Sequence, residues 1–456
     1  MENSLSLDKQ RQRYLAYSLL LAIVALVPGL IYLTLPQALL LSTIVLMVSL
    51  WTNEGLPLAA VSMLPIILFP SFDILSTKQT AINYANPIVF LFMGGFFIAI
   101  AVEKTALHKW IAARVFSYFP ASPRGIIFSL MITSGLLSSV LSNTTTTLLL
   151  LPIALFLTDV VQIKLRLALA IAYGASIGGI LTPIGTPPNL ILMGFLQETG
   201  QAAIPFMQWV VMVAPLVALM FAVAGYVLSI GTESVTLHAD LKLEKQTIDQ
   251  KKVSTVILVL IVMLFLNAPI KPYYNGLGLN EPAMLLFAGL LLFFPVINIL
   301  SWNDDKNKIP FQIIFLFGAG FAIAKAFMIT GMAEISADYL SGFSDLPVIV
   351  FLLLLAAVVT FTTEVTSNTA LISIILPVLY EVANRSGLNV TLIMMLATVC
   401  ASYAFMLPIA TPPNAAVMSS GIVNVKTMVR YGIVFNMVGI VLVVSTASLY
   451  WQRFLN

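Results

Sequence analysis

Long, uninterrupted apolar runs set the first limit on what this chain folds into. Leu15–Leu35, Phe206–Ile230, Val253–Leu266, Met284–Leu300 and Ile433–Tyr450 contain no charged side chain. The longest reach the ~20 residues that a helix needs to cross hydrocarbon. A water-soluble globule of 456 residues requires more polar surface than a chain that is 60% hydrophobic and 9% charged supplies. In lipid every backbone polar group needs an internal partner, which a helix provides. The expectation is an all-α polytopic membrane protein with about eleven transmembrane helices and two re-entrant hairpins. The first run ends without a small-residue cleavage site and more runs follow, so it reads as a retained first helix. The net charge of +3 is small, and the basic residues lie at span ends, as membrane topology requires. Nothing supports nucleic-acid binding. The single cysteine, Cys400, sits in an apolar stretch and reads as a small packed hydrophobe.

The chain also repeats itself at one spacing. Ile88-Val89-Phe90-Leu91-Phe92 resembles Ile313-Ile314-Phe315-Leu316-Phe317, and 313 − 88 is 225. Ser142-Asn143-Thr144 recurs as Ser367-Asn368-Thr369, Pro152 as Pro377, Pro183 as Pro408, and Thr186-Pro187-Pro188-Asn189 as Thr411-Pro412-Pro413-Asn414, all at the same offset of 225. Only Asn53-Glu54 and Asn280-Glu281 drift, to 227. These matches divide the chain into an N-terminal tail and first helix (1–38), a first repeat (39–230), a polar linker (231–252) and a second repeat (253–456).

Charge orients the copies. Ala101 to Gly125 holds Lys104, Lys109, Arg114 and Arg124 against Glu103, whereas Ala326 to Val350 holds Glu334, Asp338 and Asp345 with no Lys or Arg. By the positive-inside bias the first stretch faces the cytoplasm and the second faces outward, so the repeats are inverted. The basic N-terminus, with Lys9, Arg11 and Arg13, is then cytoplasmic.

Breaks in the apolar runs locate the chemistry. Pro183, Pro187 and Pro188 remove amide donors and hold the residues before them out of helical geometry, and the second copy breaks likewise at Pro408, Pro412 and Pro413. Irregular backbone at membrane depth survives only where it lines a cavity or is buried in protein. Paired interruptions in two inverted halves are the strongest sequence pointer to a transporter's binding site. Ser, Asn and Thr suit helix N-caps, whose amides and dipole attract anions, while their oxygens and the freed carbonyls are hard ligands suited to sodium. The Gly-rich segments Phe90–Phe96 and Phe315–Phe321 read as tips of re-entrant hairpins begun at Asn86-Pro87 and Ile309-Pro310.

Among intramembrane carboxylates, Glu364 lies three residues before Ser367 and is expected to brace the loop without touching substrate. Glu54 and Glu281 are candidates as well, with helix capping as the alternative reading, since both follow Asn at the ends of short apolar runs. Gly174-Ala175-Ser176-Ile177-Gly178 matches a nucleophile-elbow pattern, but that pattern requires a strand, a turn and a helix in a soluble sheet. The only histidines, His108 and His238, lie in charged flanks, so no hydrolase is expected. No phosphate-binding loop supports ATP-driven transport either.

Together, the paired Ser-Asn-Thr and Thr-Pro-Pro-Asn segments and Ala85-Asn86-Pro87-Ile88, running into Leu91-Phe92-Met93-Gly94-Gly95-Phe96, resemble the divalent anion/sodium symporter (DASS) family. The resemblance runs from Trp51-Thr52-Asn53-Glu54-Gly55 to the last helix. It implies an elevator-type homodimer in the cell membrane, with a scaffold and a moving transport domain, importing C4-dicarboxylates with sodium. It also implies two sodium sites, one at Ser138, Ser142, Asn143 and the backbone of Gly185, the other at Thr363, Thr366, Asn368 and the backbone of Ala410. Substrate carboxylates would meet Asn143, Thr144, Thr186 and Pro187 on one side and Asn368, Thr369, Thr411 and Pro412 on the other. A sodium-independent exchanger, or a carrier of citrate or sulfate, would keep the same anion site.

Overall fold

The computed structural model describes residues 2–120, 122–232, 245–269, 273–340 and 346–455, with the side chains of 2–8 and 340 left aside. Most of the polar linker, His238 and Asp345 therefore lie outside the described residues. The described chain is helical throughout, with no strand. Six helical stretches are long and apolar enough to cross a membrane: Lys9–Tyr32, Leu35–Asn53, Thr77–Lys104, Phe206–Ser229, Phe311–Thr330 and Val425–Leu455.

The first five helices are α1 (Glu2–Tyr32), α2 (Leu35–Asn53), α3 (Leu58–Ser71), α4 (Thr77–Ile82) and α5 (Pro87–Lys104). Proline starts several helices where its missing amide costs nothing. Pro87 opens α5 behind Asn86, whose side-chain oxygen accepts from Ile88 N at 3.0 Å. The Gly-rich segments correct the sequence reading. They are not hairpin tips, since α5 runs unbroken through Phe90–Phe96 and its counterpart, Phe311–Thr330, runs unbroken through Phe315–Phe321. The physical reason is close packing: a Cβ on Gly94 would lie 2.3 Å from the carbonyl oxygen of Leu285. Glycine there serves approach of two backbones, not a break.

The chain then forms α6 (Leu107–Phe116), α7 (Pro123–Ser138), α8 (Asn143–Phe156), α9 (Val161–Gly179), α10 (Pro187–Glu198) and α11 (Phe206–Ser229). The turns that the glycines do not make occur at the polar motifs. α7 and α8 have 16 and 14 residues and meet at the Ser139–Ser142 turn. At ~1.5 Å per residue each spans about 21 to 24 Å, short of the ~30 Å hydrocarbon core. Ser176 lies inside α9, buried, in a continuous helix. A Cβ on the neighbouring Gly178 would sit 2.1 Å from Gly135 Cα, so the elbow-like glycines pack α9 against α7.

After the linker come α12 (Ile248–Asn267), α13 (Glu281–Leu291), the short α14 (Trp302–Asp305), α15 (Phe311–Thr330), α16 (Met332–Leu340), α17 (Val348–Thr363), α18 (Asn368–Arg385), α19 (Val390–Ala401), α20 (Pro412–Ser419) and α21 (Val425–Thr446). The order of elements around the two motif copies is the same: a short helix, the Ser-Asn-Thr turn, a second short helix, a helix that breaks, and a half-helix starting at Pro-Pro.

Packing sorts the helices into two groups that cut across the repeats. α1–α5 associate with α12, α13 and α15, chiefly through α5 against α13 and α3 against α15. α7–α11 associate with α17–α21, through α10 against α18 and α19 and through α20 against α8 and α9, while α7 packs on α9 within its own set. The groups meet where α18 touches α15 and α16. Cys400 is free and wholly buried in α19, as a packed hydrophobe should be.

Candidate functional site

Four helix N-termini open onto one cavity. Ser142 is the N-cap of α8, Thr186 of α10, Ser367 of α18 and Thr411 of α20, each with extended backbone. Ser142 satisfies an orphan amide by accepting from Thr145 N at 3.1 Å. α10 and α20 begin with two prolines each, so their fixed φ angles pre-shape the first turn while the axial dipole is kept. All four caps line a cavity of about 430 Å³. Asn143, Thr144, Pro187, Asn368, Thr369 and Pro412 line it too, as do Gly185, Thr366 and Ala410. The structure thus gathers into one space residues lying 225 positions apart in sequence.

Ser138 and Thr363 stand one step behind the lining. Ser138 Oγ donates to Asn143 Oδ1 at 2.5 Å, and the pseudo-equivalent Thr363 Oγ1 lies 2.7 Å from Asn368 Oδ1 and 2.8 Å from Ala401 O. The same hydroxyl–amide pair is built twice. Gly185 is held so close that a Cβ would fall 2.3 Å from Gly179 O and 3.0 Å from Ser138 O. Oxygens of Ser138 and Asn143 and the backbone of Gly185 are therefore neighbours, as a hard-cation site requires. Of their counterparts, Thr363 and Asn368 are paired in the same way, and Asn368 and Ala410 line the same cavity.

Asparagine of each Thr-Pro-Pro-Asn staples the break from beneath. Asn189 Nδ2 donates to Thr182 O at 2.9 Å, and Asn414 Nδ2 donates to Leu407 O and Ala404 O, each at 3.0 Å. Both side chains are fully buried and leave the cavity wall to the Thr and Pro of the motif. Glu364 does the same on a larger scale. Its carboxylate, 3% exposed, accepts from Phe405 N (2.8 Å), Met406 N (2.9 Å), Leu407 N (3.0 Å) and Asn436 Nδ2 (2.6 Å). Four donors converging on one carboxyl group tie α17, the second break and α21 together. It stays off the cavity wall, in keeping with the bracing role read from the sequence.

Glu54 and Glu281 part company. Glu281 stands in the first turn of α13 and accepts from Phe206 N at 2.8 Å. Glu54 instead ends α2 with a left-handed backbone (φ 55°) and lines the cavity. The reading of both as helix caps holds for neither in full. Glu281 fixes a neighbouring helix, and Glu54 faces the site. Sequence reasoning also missed the opposite wall, which includes Trp51, Thr52, Phe92, Phe96 and Gln312. These residues lie in α2, α5 and α15; Phe92 and Phe96 fall in a segment that the sequence marks as duplicated or Gly-rich, but nothing there singles out a side chain that lines a site. No Lys, Arg or His is among the residues lining the cavity.

Comparison with known proteins gives this geometry a family. The citrate transporter family model matches residues 44–387. The sodium-dependent dicarboxylate transporter SdcS of Staphylococcus aureus (strain NCTC 8325 / PS 47) is 32% identical over 432 residues, covering 86% of this chain and 82% of that protein. SdcS of Staphylococcus aureus (strain COL) matches with the same figures. Among solved structures, the Alcanivorax borkumensis YdaH transporter, whose crystal structure is described as having an unusual topology, aligns with a TM-score of 0.58 at 15% identity, covering 82% of this chain and 88% of that one. At that identity the likeness speaks for the fold alone. A membrane chain that folds like a transporter and matches a carboxylate-carrier family over most of its length is a transporter and not an enzyme. The chain belongs to the divalent anion/sodium symporter family of di- and tricarboxylate transporters.

Proposed function

We propose that the chain imports C4-dicarboxylates such as succinate, malate or fumarate across the cell membrane together with sodium. The observation that carries this reading is the cavity itself: four helix N-termini border one space, with no Lys, Arg or His among the described residues that line it. Helix N-termini attract carboxylates, but partial charges alone do not offset a dianion at membrane depth. Bound cations do. Two sites, Ser138, Ser142, Asn143 and Gly185 on one side and Thr363, Thr366, Asn368 and Ala410 on the other, would flank one dianion held by Asn143, Thr144, Thr186, Pro187, Asn368, Thr369, Thr411 and Pro412. Cation binding first lowers the cost of bringing the dianion in. The name of SdcS supports both the ion and the substrate class.

The two packing groups support an elevator, with α7–α11 and α17–α21 as the transport domain and α1–α5 with α12–α16 as the scaffold of a homodimer. In this reading α7–α8 and α17–α18 are the re-entrant hairpins, the two repeats are inverted, about eleven helices cross the bilayer, and the N-terminus is cytoplasmic. Radiolabelled succinate uptake into proteoliposomes, with and without a sodium gradient, tests the reading. Accumulation against a succinate gradient only with sodium is expected. Equal uptake without sodium into dicarboxylate-loaded vesicles, and none into empty ones, would replace it by exchange. The family's description as citrate transporters favours one second reading, a tricarboxylate cargo; stronger competition by citrate than by malate would establish it.

A further inference from the structure

The two walls of the cavity carry opposite chemistry. One is made of helix N-termini and uncharged donors. The other, from α2, α5 and α15, holds Glu54, the only ionisable side chain among the described residues that line the space. This carboxylate is exposed, and no hydrogen bond or ion pair to it is found among the described residues. It also stands at the unfavourable end of its helix, since a negative charge at a helix C-terminus adds to the partial negative charge already there. Capping therefore gives no account of it.

Its corner is built to hold it in place. Non-glycine residues with positive φ are uncommon and strained, and Glu54 has φ 55°. The corner is tied on either side. Asn53 Oδ1 accepts from Gly55 N at 2.9 Å, Asn53 Nδ2 donates to Ser18 Oγ at 2.9 Å, and Ser18 Oγ lies 2.8 Å from Ser49 Oγ. α1 and α2 together thus tie down the backbone corner that carries this unpaired carboxylate, which lines the same cavity as the polar motifs.

We propose that Glu54 is a coupling residue: a fixed negative charge on the scaffold wall that rejects a dianion arriving without its cations. The proposal rests on the reading of the cavity as a cation-coupled dianion site. A bare dianion entering the cavity beside Glu54 brings three negative charges together, whose repulsion is only partly screened there. With two sodium ions bound beside the dianion the load is neutral and the wall no longer opposes it. Glu54 would then touch neither sodium nor substrate, yet would make sodium-free loading and passage unfavourable.

The test is succinate uptake into proteoliposomes across a sodium series at constant ionic strength, for the wild type, Glu54→Gln and Glu54→Gly. Glycine accepts the left-handed backbone without strain, so the second variant removes the charge even if the first disturbs folding. Both variants should lower the succinate KM at low sodium by about three- to thirtyfold, the size expected of one partly screened charge. The difference should vanish at saturating sodium, and uptake in sodium-free medium should rise above the wild-type background. Glu54→Asp should behave as the wild type. A KM shifted by one constant factor at every sodium concentration, an unchanged KM, or a KM raised at low sodium would each overturn the proposal. A wild type whose uptake ignores sodium would instead overturn the proposed function, before any variant is compared.

Discussion

In the first helix break, Thr182 Oγ1 donates to Ser139 O, and Asn189 staples the loop. In the second, the equivalent of Ser139 is Glu364, whose carboxylate gathers three consecutive backbone amides and Asn436. The backbone plan is the same at both sites, and the way it is held differs. The first break relies on one hydroxyl and on close backbone contact at Gly185, the second on a buried acidic side chain and on Ala410, which already carries a Cβ. Duplication copied the geometry, and the two copies then settled on different sources of stiffness. The two proposed cation sites on such breaks should then have unequal affinities.

The largest effects test what the breaks share. Asn143→Ala and Asn368→Ala each remove a carboxamide that receives a hydroxyl and lines the cavity, and uptake should fall by about a hundredfold or more, with membrane insertion intact. Robust transport by both variants would remove these residues from the site. Next, Glu364→Ala leaves three buried amides without acceptors and should cost about 3 kcal/mol or more of stability, whereas Thr182→Val loses one hydroxyl bond and should cost about 1 kcal/mol. Thermal unfolding of the purified variants measures both, and equal losses would erase the contrast between the breaks.

Gly185→Ala against Ala410→Gly separates the two by sterics. A Cβ at 185 collides with Gly179 O at 2.3 Å, so half-maximal activation should need about tenfold more sodium, while Ala410→Gly should cost about 1 kcal/mol of stability or less. Similar sodium curves for the pair would contradict the unequal-site view. The smallest effect on transport is expected away from both breaks. Asp305, between α13 and α15, is buried, which by itself raises its pKa; hydrogen bonds from Lys104, the backbone of Ser301 and Lys308 outweigh this and hold it below the usual carboxylate value. A lowered pKa gives stability that is full above the ordinary Asp range and lost as pH falls through the lowered value. Asp305→Asn should therefore reduce stability by about 1–2 kcal/mol at neutral pH, with less effect in acid, and leave the sodium dependence of uptake unchanged.

Much of this architecture was legible in one dimension. Proline removes a donor and disfavours helical geometry in the residue before it, so the clustered Pro183, Pro187 and Pro188 and their counterparts Pro408, Pro412 and Pro413 mark breaks, whereas the single Pro152 and Pro377 stand inside continuous helices. Ser142 and Ser367 mark helix starts by the local chemistry of capping. Glycine imposes no such local constraint, which is why Phe90–Phe96 reads as a hairpin tip and folds as a straight helix. Whether Gly94 breaks a helix or admits a neighbour depends on Leu285, almost two hundred positions away. Glu54 and Glu281 follow the same logic. Each follows an asparagine in sequence, and their surroundings alone send one to the cavity and the other to the end of α11.

Residue types in their order were enough for the membrane setting, the duplication and the motif segments, because apolar length, proline and capping act on the residues that carry them. Packing decided that the two motif copies share one cavity, that Glu364 braces a loop, and that an unpaired carboxylate at Glu54 faces the polar wall. Those outcomes depend on distances between residues far apart in the chain, which no residue's own chemistry sets.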